Sequence, residues 1–318
     1  MILSIIGFIA GITLVLYGAD ALVKGATALA RKFNISELVI GLTIVALGTS
    51  LPELVISVGS AIKGSSGIAL GNVIGSNIFN SMLILGVTAM ITPIKFSAKM
   101  LSRELPFNLL ASIVLILVSG SMLIGGGENE EISRYSGLIL LCFLAVFIRY
   151  TFSISNDSEE SNEDIKSVSN WKIVFYTIVG LASLIFGGKL FVGGATEVAR
   201  LLGLSEAIIG ITIVSAGSSL PELAVSINAA RKGNAGIALG NVLGSNILNI
   251  FFILGCSATI TPISLDGFSF VDYYVLIATS LMVYIVSRFG GKNVINRWEG
   301  AILTLGYIAY TVYLIMRG

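Results

Sequence analysis

Two glutamates stand in the middle of long apolar stretches of the sequence, and each follows a proline. Glu53 lies in GTSLPELVIS and Glu222 lies in GSSLPELAVS. An ionised carboxylate in hydrocarbon costs several kcal/mol, so each must face a protein interior, a wet cavity or a bound cation. The proline leaves the carbonyl four residues earlier, at Gly48 or Gly217, without its helical partner. A free carbonyl beside a buried carboxylate suits a cation.

Hydroxyl and amide side chains recur around these glutamates. Thr49 precedes Glu53 by four residues, as Ser218 precedes Glu222, which predicts a hydroxyl one helical turn away on the same face. Two further apolar stretches each carry a serine and an asparagine four residues apart; the pairs are Ser76 with Asn80 and Ser245 with Asn249. Four predicted helices thus bring oxygen atoms to one depth.

The residue types favour one class of ligand. The chain has no histidine and only two cysteines, so the candidate donors are carboxylate, hydroxyl, amide and backbone oxygens. Such a site suits sodium or calcium rather than zinc or copper. Two carboxylates balance the charge of one calcium ion, and sodium ions could use the same oxygens. Competition for one set of ligands is the simplest physical route to exchange.

Composition places these residues in a membrane. Of the 318 residues, 55% are hydrophobic and 12% are charged, and the formal net charge is +1. So little polar surface cannot cover a soluble globule, and the scattered basic residues form no stripe for nucleic acid. Ten apolar stretches are long enough to cross a bilayer of about 30 Å; they lie near 3–23, 36–62, 67–92, 105–124, 135–153, 172–198, 205–230, 236–260, 271–287 and 299–316. The predicted fold class is an all-α integral membrane protein with ten transmembrane helices.

The predicted spans form two halves that are related by sequence. SELVIGLTIVALGTSLPELV from Ser36 aligns with SEAIIGITIVSAGSSLPELA from Ser205, and GNVIGSNIFN from Gly71 aligns with GNVLGSNILN from Gly240. Because each half has an odd number of spans, the second copy must enter the membrane upside down relative to the first. We therefore predict two inverted five-helix repeats.

Basic residues set the predicted orientation. Placing the loop after the first span inside collects the majority of the lysines and arginines on the cytoplasmic side. Both termini are then extracytoplasmic. The chain divides into a first transmembrane repeat at 1–153, a cytoplasmic acidic linker at 154–171 and a second transmembrane repeat at 172–318.

The duplicated GTSLPE-type and GNxxGSN-type segments resemble the alpha repeats of the calcium/cation antiporter family, and the closest resemblance is to prokaryotic sodium/calcium exchangers. It covers essentially the whole chain. The resemblance implies that Glu53 and Glu222 ligate calcium and sodium. The further side-chain ligands that it implies are Thr49, Ser50, Ser76 and Asn80 from one repeat and Ser218, Ser219, Ser245 and Asn249 from the other. Backbone carbonyls of Ala46 and Ser215 match positions that complete the outer sodium sites.

The resemblance also implies a mechanism and a setting. In the family, the first and sixth spans slide against the other eight, which gives alternating access. We expect no cofactor, only calcium and sodium bound as transported ions. The expected partners are these ions and the lipid bilayer, with no nucleic acid. The expected location is a prokaryotic inner or plasma membrane, and the expected oligomeric state is a monomer.

Two departures from the family pattern concern the choice of ion. Ser218 stands where threonine is usual, which keeps the hydroxyl, and Asn249 stands where sodium/calcium exchangers often carry an aspartate. The site therefore has symmetric asparagines and no third carboxylate, which leaves stoichiometry open. The proton/calcium branch typically has GNxxE where this chain has GNVIG and GNVLG, which favours sodium as the counter-ion.

Other functions remain as alternatives to a sodium-driven calcium antiporter. A calcium antiporter could use protons or potassium instead, and a passive cation channel would also use carboxylates near a pore centre. An intramembrane hydrolase could use Glu53 and Glu222 as acid and base. The sequence offers no nucleophile with an activating partner, so we predict that the protein is not an enzyme.

Overall fold

The structure, a computed structural model, describes residues 2–119, 131–154, 169–201, 215–265, 269–289 and 293–317. The first half contains the helices α1 (Ile2–Phe33), α2 (Glu37–Thr49), α3 (Leu51–Ile62), α4 (Ser66–Ile91), α5 (Ala98–Val118, with a turn at Arg103) and α6 (Arg134–Ser153). The second half contains α7 (Asn170–Leu201), α8 (Ser215–Ser218), α9 (Leu220–Arg231), α10 (Ala235–Ile260), α11 (Phe270–Phe289) and α12 (Arg297–Arg317). The two-residue strands are β1 (Ile94–Lys95), β2 (Glu131–Ile132), β3 (Ile263–Ser264) and β4 (Val294–Ile295).

Within these ranges, eight helices are long and apolar enough to cross a membrane, and the bent pair α2 and α3 would make a ninth. The predicted span at 205–230 has its second part in α9, while residues 205–214 lie outside the described ranges. Most of the predicted linker, residues 155–168, also lies outside them. An all-helical membrane fold is confirmed, and the count of ten helices stays a prediction.

The helices α1 and α7 are longer than predicted, with 32 residues each. The predicted first span lies near 3–23, and the next residue, Lys24, is charged. The helix instead continues, since Lys24 pairs with Asp20 one turn earlier, at 2.7 Å. At 1.5 Å per residue, a helix of this length measures about 48 Å, so it must tilt or extend beyond the hydrocarbon.

These two long helices pack against each other in antiparallel fashion through small residues. A Cβ on Gly11 would overlap the backbone near Gly187, and a Cβ on Gly18 would lie 2.9 Å from the carbonyl oxygen of Gly180. Residue numbers rise along α1 as they fall along α7. Glycines at the seam let the two backbones approach closely.

The helix α10 lies at the centre of the fold, since 94% of an apolar stretch of 18 residues within it is buried. It runs parallel to α2, with close approaches of Gly236 to Leu38 and of Gly240 to Gly41. In contrast, α1, α6, α7 and α12 carry many exposed apolar residues, as helices that face lipid do.

Two short antiparallel ladders join the halves to each other. Ile94 of β1 lies opposite Ile295 of β4, and Ile132 of β2 lies opposite Ile263 of β3. In the duplicated alignment Ile94 corresponds to Ile263, so the two ladders are equivalent contacts. Each ladder ties a loop of one half to a loop of the other.

The two halves are packed differently at one pair of equivalent surfaces. Residues of α1 cover Val225 of α9 and Ile237 of α10 in one apolar cluster, and Ile237 is 0% exposed. The equivalent residues of the first half are Ile56, which is half-buried, and Ile68, which is 58% exposed. We call the surface around Val225 and Ile237, which α1 covers, the α1 end of the protein. It is more closed than the equivalent surface around Ile56 and Ile68.

Candidate cation-binding site

Glu53 lies at the start of a helix rather than midway along a continuous one. The helix α2 ends at Thr49, the backbone turns at Ser50 (φ −83°, ψ 6°), and α3 leaves at 49° to α2. Pro52 sits in the first turn of α3, where a missing N–H costs nothing. Glu53 therefore lies in the first turn of α3, at the positive end of that helix's dipole.

The second half repeats this break. The helix α8 ends at Ser218, Ser219 has φ −94° and ψ 10°, and Glu222 lies in the first turn of α9 after Pro221. The helix between Thr49 and Glu53 is therefore broken at Ser50, so a spacing of four residues does not by itself place these two side chains on one helical face.

Each carboxylate is held by a hydroxyl group from the other half. Ser50 Oγ donates to Glu222 Oε1 at 3.0 Å, and Ser219 Oγ donates to Glu53 Oε1 at 3.0 Å. Glu53 is 1% exposed and Glu222 is 0% exposed. The second oxygen of each carboxylate, Oε2, is buried and has no hydrogen-bond partner among the residues that the structure describes. Buried carboxylate oxygens without a donor are rare, because burial removes their water ligands.

Hydroxyls of α2 and α10 surround these carboxylates. Ser50 Oγ lies 3.1 Å from Ser245 Oγ, and Thr49 Oγ1 lies 3.0 Å from Asn241 Oδ1. The predicted ligand Thr49 thus contacts the other half, as Ser50 does. The carbonyl of Ala46 accepts from Ser50 N at 3.0 Å. Thr49 Oγ1 lies 3.3 Å from the same carbonyl, but its single proton has a closer acceptor in Asn241 Oδ1.

The remaining predicted ligands lie on the same elements. Ser76 is buried on α4, and Ser218 is buried at the end of α8. Ser215 begins α8, and its side chain lies outside the described part of the structure. The carbonyl of Ser215 is equivalent in sequence to that of Ala46.

Asn80 and Asn249 lie in π-helical segments, Phe79–Ile84 of α4 and Asn249–Leu254 of α10. Both side chains are buried. Within the described part of the chain, neither amide atom of Asn80 has a hydrogen-bond partner, and Oδ1 of Asn249 has none. Single π-helical turns widen a helix and occur frequently at functional sites.

Two asparagines that the sequence reasoning missed fix the backbone of the glutamates. Asn72 Nδ2 donates to Glu53 O at 3.3 Å, and Asn241 Nδ2 donates to Glu222 O at 3.1 Å. Each also donates to a serine one turn further along, Asn72 to Ser57 and Asn241 to Ser226, at 2.9 Å in both cases. The available signal was their place as second residue of GNVIGSN and GNVLGSN.

A second missed pair connects α4 with α10. Asn77 Nδ2 donates to Asn246 O at 3.2 Å, and Asn249 Nδ2 donates to Asn77 Oδ1 at 3.1 Å. Asn246 Nδ2 donates to Ser81 Oγ at 2.8 Å. The residue equivalent to Ser81 is Ile250, which has no hydroxyl, so the two halves differ here. Asn77 orients the Asn249 amide, and no described residue orients the Asn80 amide in the same way.

The donor set remains one of hard oxygen atoms. Within the described ranges no group of three or more histidine, cysteine, aspartate or glutamate residues could hold a metal ion. The site instead combines two carboxylates with hydroxyl and amide oxygens, which suits sodium or calcium.

Comparison with known proteins identifies relatives across the whole chain. The sequence profile of the sodium/calcium exchanger protein family matches residues 3–153 and 172–316. The sodium/calcium exchanger MaX1 of Methanosarcina acetivorans is 39% identical over 339 residues, with 96% of each chain covered. The putative antiporter CaxA of Alkalimonas amylolytica is 35% identical, with 98% of each covered. A solved structure of the sodium/calcium exchanger from Methanococcus jannaschii is 33% identical, covers 98% of each chain and has a TM-score of 0.83.

Long apolar helices around buried carboxylates define a multi-span membrane protein with charged groups in its interior. The chain belongs to the sodium/calcium exchanger family. Members of this family are cation antiporters and not enzymes. The resemblance predicted from the duplicated segments is confirmed.

Proposed function

We propose that this protein exchanges calcium for sodium by alternating access at the site between α2–α3 and α8–α9. The observation that carries the proposal is the pair of buried Oε2 atoms of Glu53 and Glu222, which lack a hydrogen-bond partner. A bound cation would supply the missing positive charge for both. Sodium and calcium compete for one set of oxygens, which couples their movements.

Glu53 and Glu222 supply the charge of the proposed site. The other proposed ligands are the side chains of Thr49, Ser50, Ser76, Asn80, Ser218, Ser219, Ser245 and Asn249 and the carbonyls of Ala46 and Ser215.

The proposed architecture is ten helices in two inverted repeats. The antiparallel packing of α1 on α7 supports it, since these helices begin the two halves and would run parallel in an uninverted duplication. The parallel packing of α2 on α10 supports it too. The helix α2 belongs to the second span of its half and α10 is the third span of the other half. These two spans run in the same direction only if one half is inverted.

Alternating access is supported by the unequal covering of equivalent surfaces. Residues of α1 cover Ile237, whereas the equivalent Ile68 is 58% exposed. Exchanging these two environments by sliding α1 and α7 together would close one end and open the other. Glycines at their seam, such as Gly11 and Gly18, keep the two long helices together as a unit.

The proposed setting is a prokaryotic cytoplasmic membrane, with the acidic linker inside and both termini outside. No cofactor takes part, and calcium and sodium are the transported ions. A single chain contains both halves of the site, so a monomer is sufficient.

Transport in proteoliposomes tests the proposal. Vesicles loaded with sodium, potassium or acidic buffer are diluted into a medium that contains calcium without the loaded ion. We expect calcium uptake only with the outward sodium gradient. Uptake driven equally by protons or potassium would overturn the sodium assignment. Unitary currents in a planar bilayer would instead identify a channel.

A further inference from the structure

The last two helices of each half are equivalent, and their packing confirms how their sequences align. Gly137 of α6 packs on Gly255 of α10, and Gly300 of α12 packs on Gly86 of α4. Counting from these glycines, Phe143, Phe147 and Tyr150 of α6 correspond to Gly306, Tyr310 and Tyr313 of α12.

Five aromatic rings fill the space between α5, α6 and α10. Phe107 lies 5.5 Å from Phe147, 5.7 Å from Tyr150 and 6.2 Å from Phe251, measured between ring centroids. Phe143 stacks on Phe251 at 5.4 Å. Such a cluster is well packed and leaves little room for another molecule.

The hydroxyls of Ser112 in α5 and Ser280 in α11 lie 3.0 Å apart. Aligning these two serines makes Val275 the equivalent of Phe107 and Met282 the equivalent of Val114. The five equivalent positions between α11, α12 and α4 therefore hold Val275, Gly306, Tyr310, Tyr313 and Met82. Three rings are absent there, and the structure has a cavity of about 320 Å³ that these five residues line together with Val271, Ala278, Thr279 and Met282. That volume is at the lower end of the range, about 300 to 1,000 Å³, in which proteins bind small molecules.

The wall of this cavity offers almost nothing to water. The hydroxyl of Thr279 already donates to Leu276 O at 2.9 Å, and that of Tyr310 donates to Asp272 Oδ1 at 2.8 Å. The guanidinium of Arg317 lies over the ring of Tyr313, 5.6 Å from its centroid. A buried water needs two to four free polar partners, so an apolar occupant fits this space better.

The cavity opens toward the part of the surface that faces lipid. Next to its wall residues, Tyr274 of α11 is 59% exposed and Leu305 of α12 is 63% exposed. At one end of the cavity lies Arg317, which Asp272 binds through both guanidinium nitrogens at 3.2 and 3.1 Å. The Arg317 side chain remains 37% exposed, so it can meet a phosphate at the membrane surface.

We infer that this cavity binds one acyl chain of a membrane phospholipid, with the lipid phosphate beside Arg317. The acyl chain takes the volume that corresponds to the one that Phe107, Phe143 and Phe251 occupy in the other half. Through Met82 it contacts the π-helical segment that also carries Asn80, so bound lipid and the cation site share one element of structure.

Photolabelling tests this inference without depending on transport. The protein is reconstituted with phosphatidylglycerol that carries a diazirine near the end of one acyl chain, irradiated and digested for mass spectrometry. We expect labels at Met82 and Met282 to exceed those at the equivalent Phe251 and Val114. The same diazirine-bearing acyl chain on diacylglycerol, which lacks phosphate, should label these positions less.

Filling the cavity supplies the matched variants. Gly306→Phe restores the ring of Phe143; a Cβ at Gly306 would touch only the flexible end of Met82. Val275→Phe restores the ring of Phe107 and serves if the first variant fails to fold. Both should reduce labelling of Met82 to the level of Phe251, while Leu305→Phe, on the adjacent exposed position, should not.

Four results would overturn the inference. In the first two, labelling of Met82 and Met282 equals that of Phe251 in the unaltered protein, or it persists in both filled variants. Crosslinks between two chains across α11 and α12 would show that a second copy covers the cavity. Equal labelling by phosphatidylglycerol and diacylglycerol would remove the role assigned to Arg317.

Discussion

The hydroxyl of Ser50 donates to Oε1 of Glu222 at 3.0 Å, from the first half of the chain to the second. Ser219 returns the same bond to Glu53. Each glutamate therefore has one oxygen held by the opposite half and one oxygen without a partner. Neither half could form this arrangement alone, which gives the duplication a physical role.

Removing either crossing hydroxyl should weaken calcium binding. Ser50→Ala and Ser219→Ala each delete a hydrogen bond to a buried carboxylate, and such bonds contribute about 1.5 to 3 kcal/mol. We expect the apparent calcium affinity to fall by roughly tenfold or more, measured by calcium-dependent uptake. Ser60→Ala, at a half-buried serine of α3 outside the site, is the control and should leave the affinity unchanged.

The asparagines that bind the glutamate carbonyls should matter unequally. Asn241 is fully buried and Asn72 is half-buried, so water can replace only the lost bonds of Asn72. We expect Asn241→Ala to lower the free energy of unfolding by about 1 to 3 kcal/mol, and Asn72→Ala by less. Denaturant unfolding in detergent measures the difference. Equal losses of unfolding free energy for the two variants would contradict this difference between Asn241 and Asn72.

A third carboxylate should be tolerated better at Asn80 than at Asn249. Asn249 Nδ2 donates to Asn77 Oδ1, so Asn249→Asp places two oxygens face to face, and Asn77 cannot turn over without losing its bond to Asn246 O. Asn80 has no such partner. Without calcium, thermal unfolding should occur at a lower temperature for Asn249→Asp than for Asn80→Asp. Added calcium should stabilise both variants; the opposite order would contradict the orientation seen for Asn249.

The α1 end of the protein carries an ion pair that its counterpart cannot form. Asp20 of α1 pairs with Lys232 after α9, whereas the equivalent residues are Lys189 and Lys63. Exposed ion pairs contribute about 0.2 to 1 kcal/mol, so Asp20→Asn should shift the balance between conformations by no more than about fivefold. Faster amide exchange at residues 231–235 would report the shift. Lys63→Gln should leave that exchange unchanged.

The duplicated segments made the site elements predictable from the sequence. Glu53, Glu222 and the amides of Asn80 and Asn249 were identified because charged and polar residues inside apolar spans need an explanation. The all-helical membrane fold followed from composition and the lengths of apolar stretches.

The pairing between halves could not be predicted in the same way. Spacing of four residues relates Thr49 to Glu53 only in an unbroken helix, and the break at Ser50 turns both residues toward the other half. The roles of Asn72 and Asn77 also depend on which helices pack together, which spacing within one segment does not show.

Calcium binding to carboxylate variants tests the central claim most directly. Glu53→Gln and Glu222→Gln keep the side-chain size and remove one charge each. Titration calorimetry in sodium-free buffer should show saturable calcium binding to the unaltered protein and competition by sodium. Each single variant should unfold at a similar temperature and show no calcium binding at concentrations that saturate the unaltered protein. A variant that binds calcium with unaltered affinity would contradict a site shared by Glu53 and Glu222.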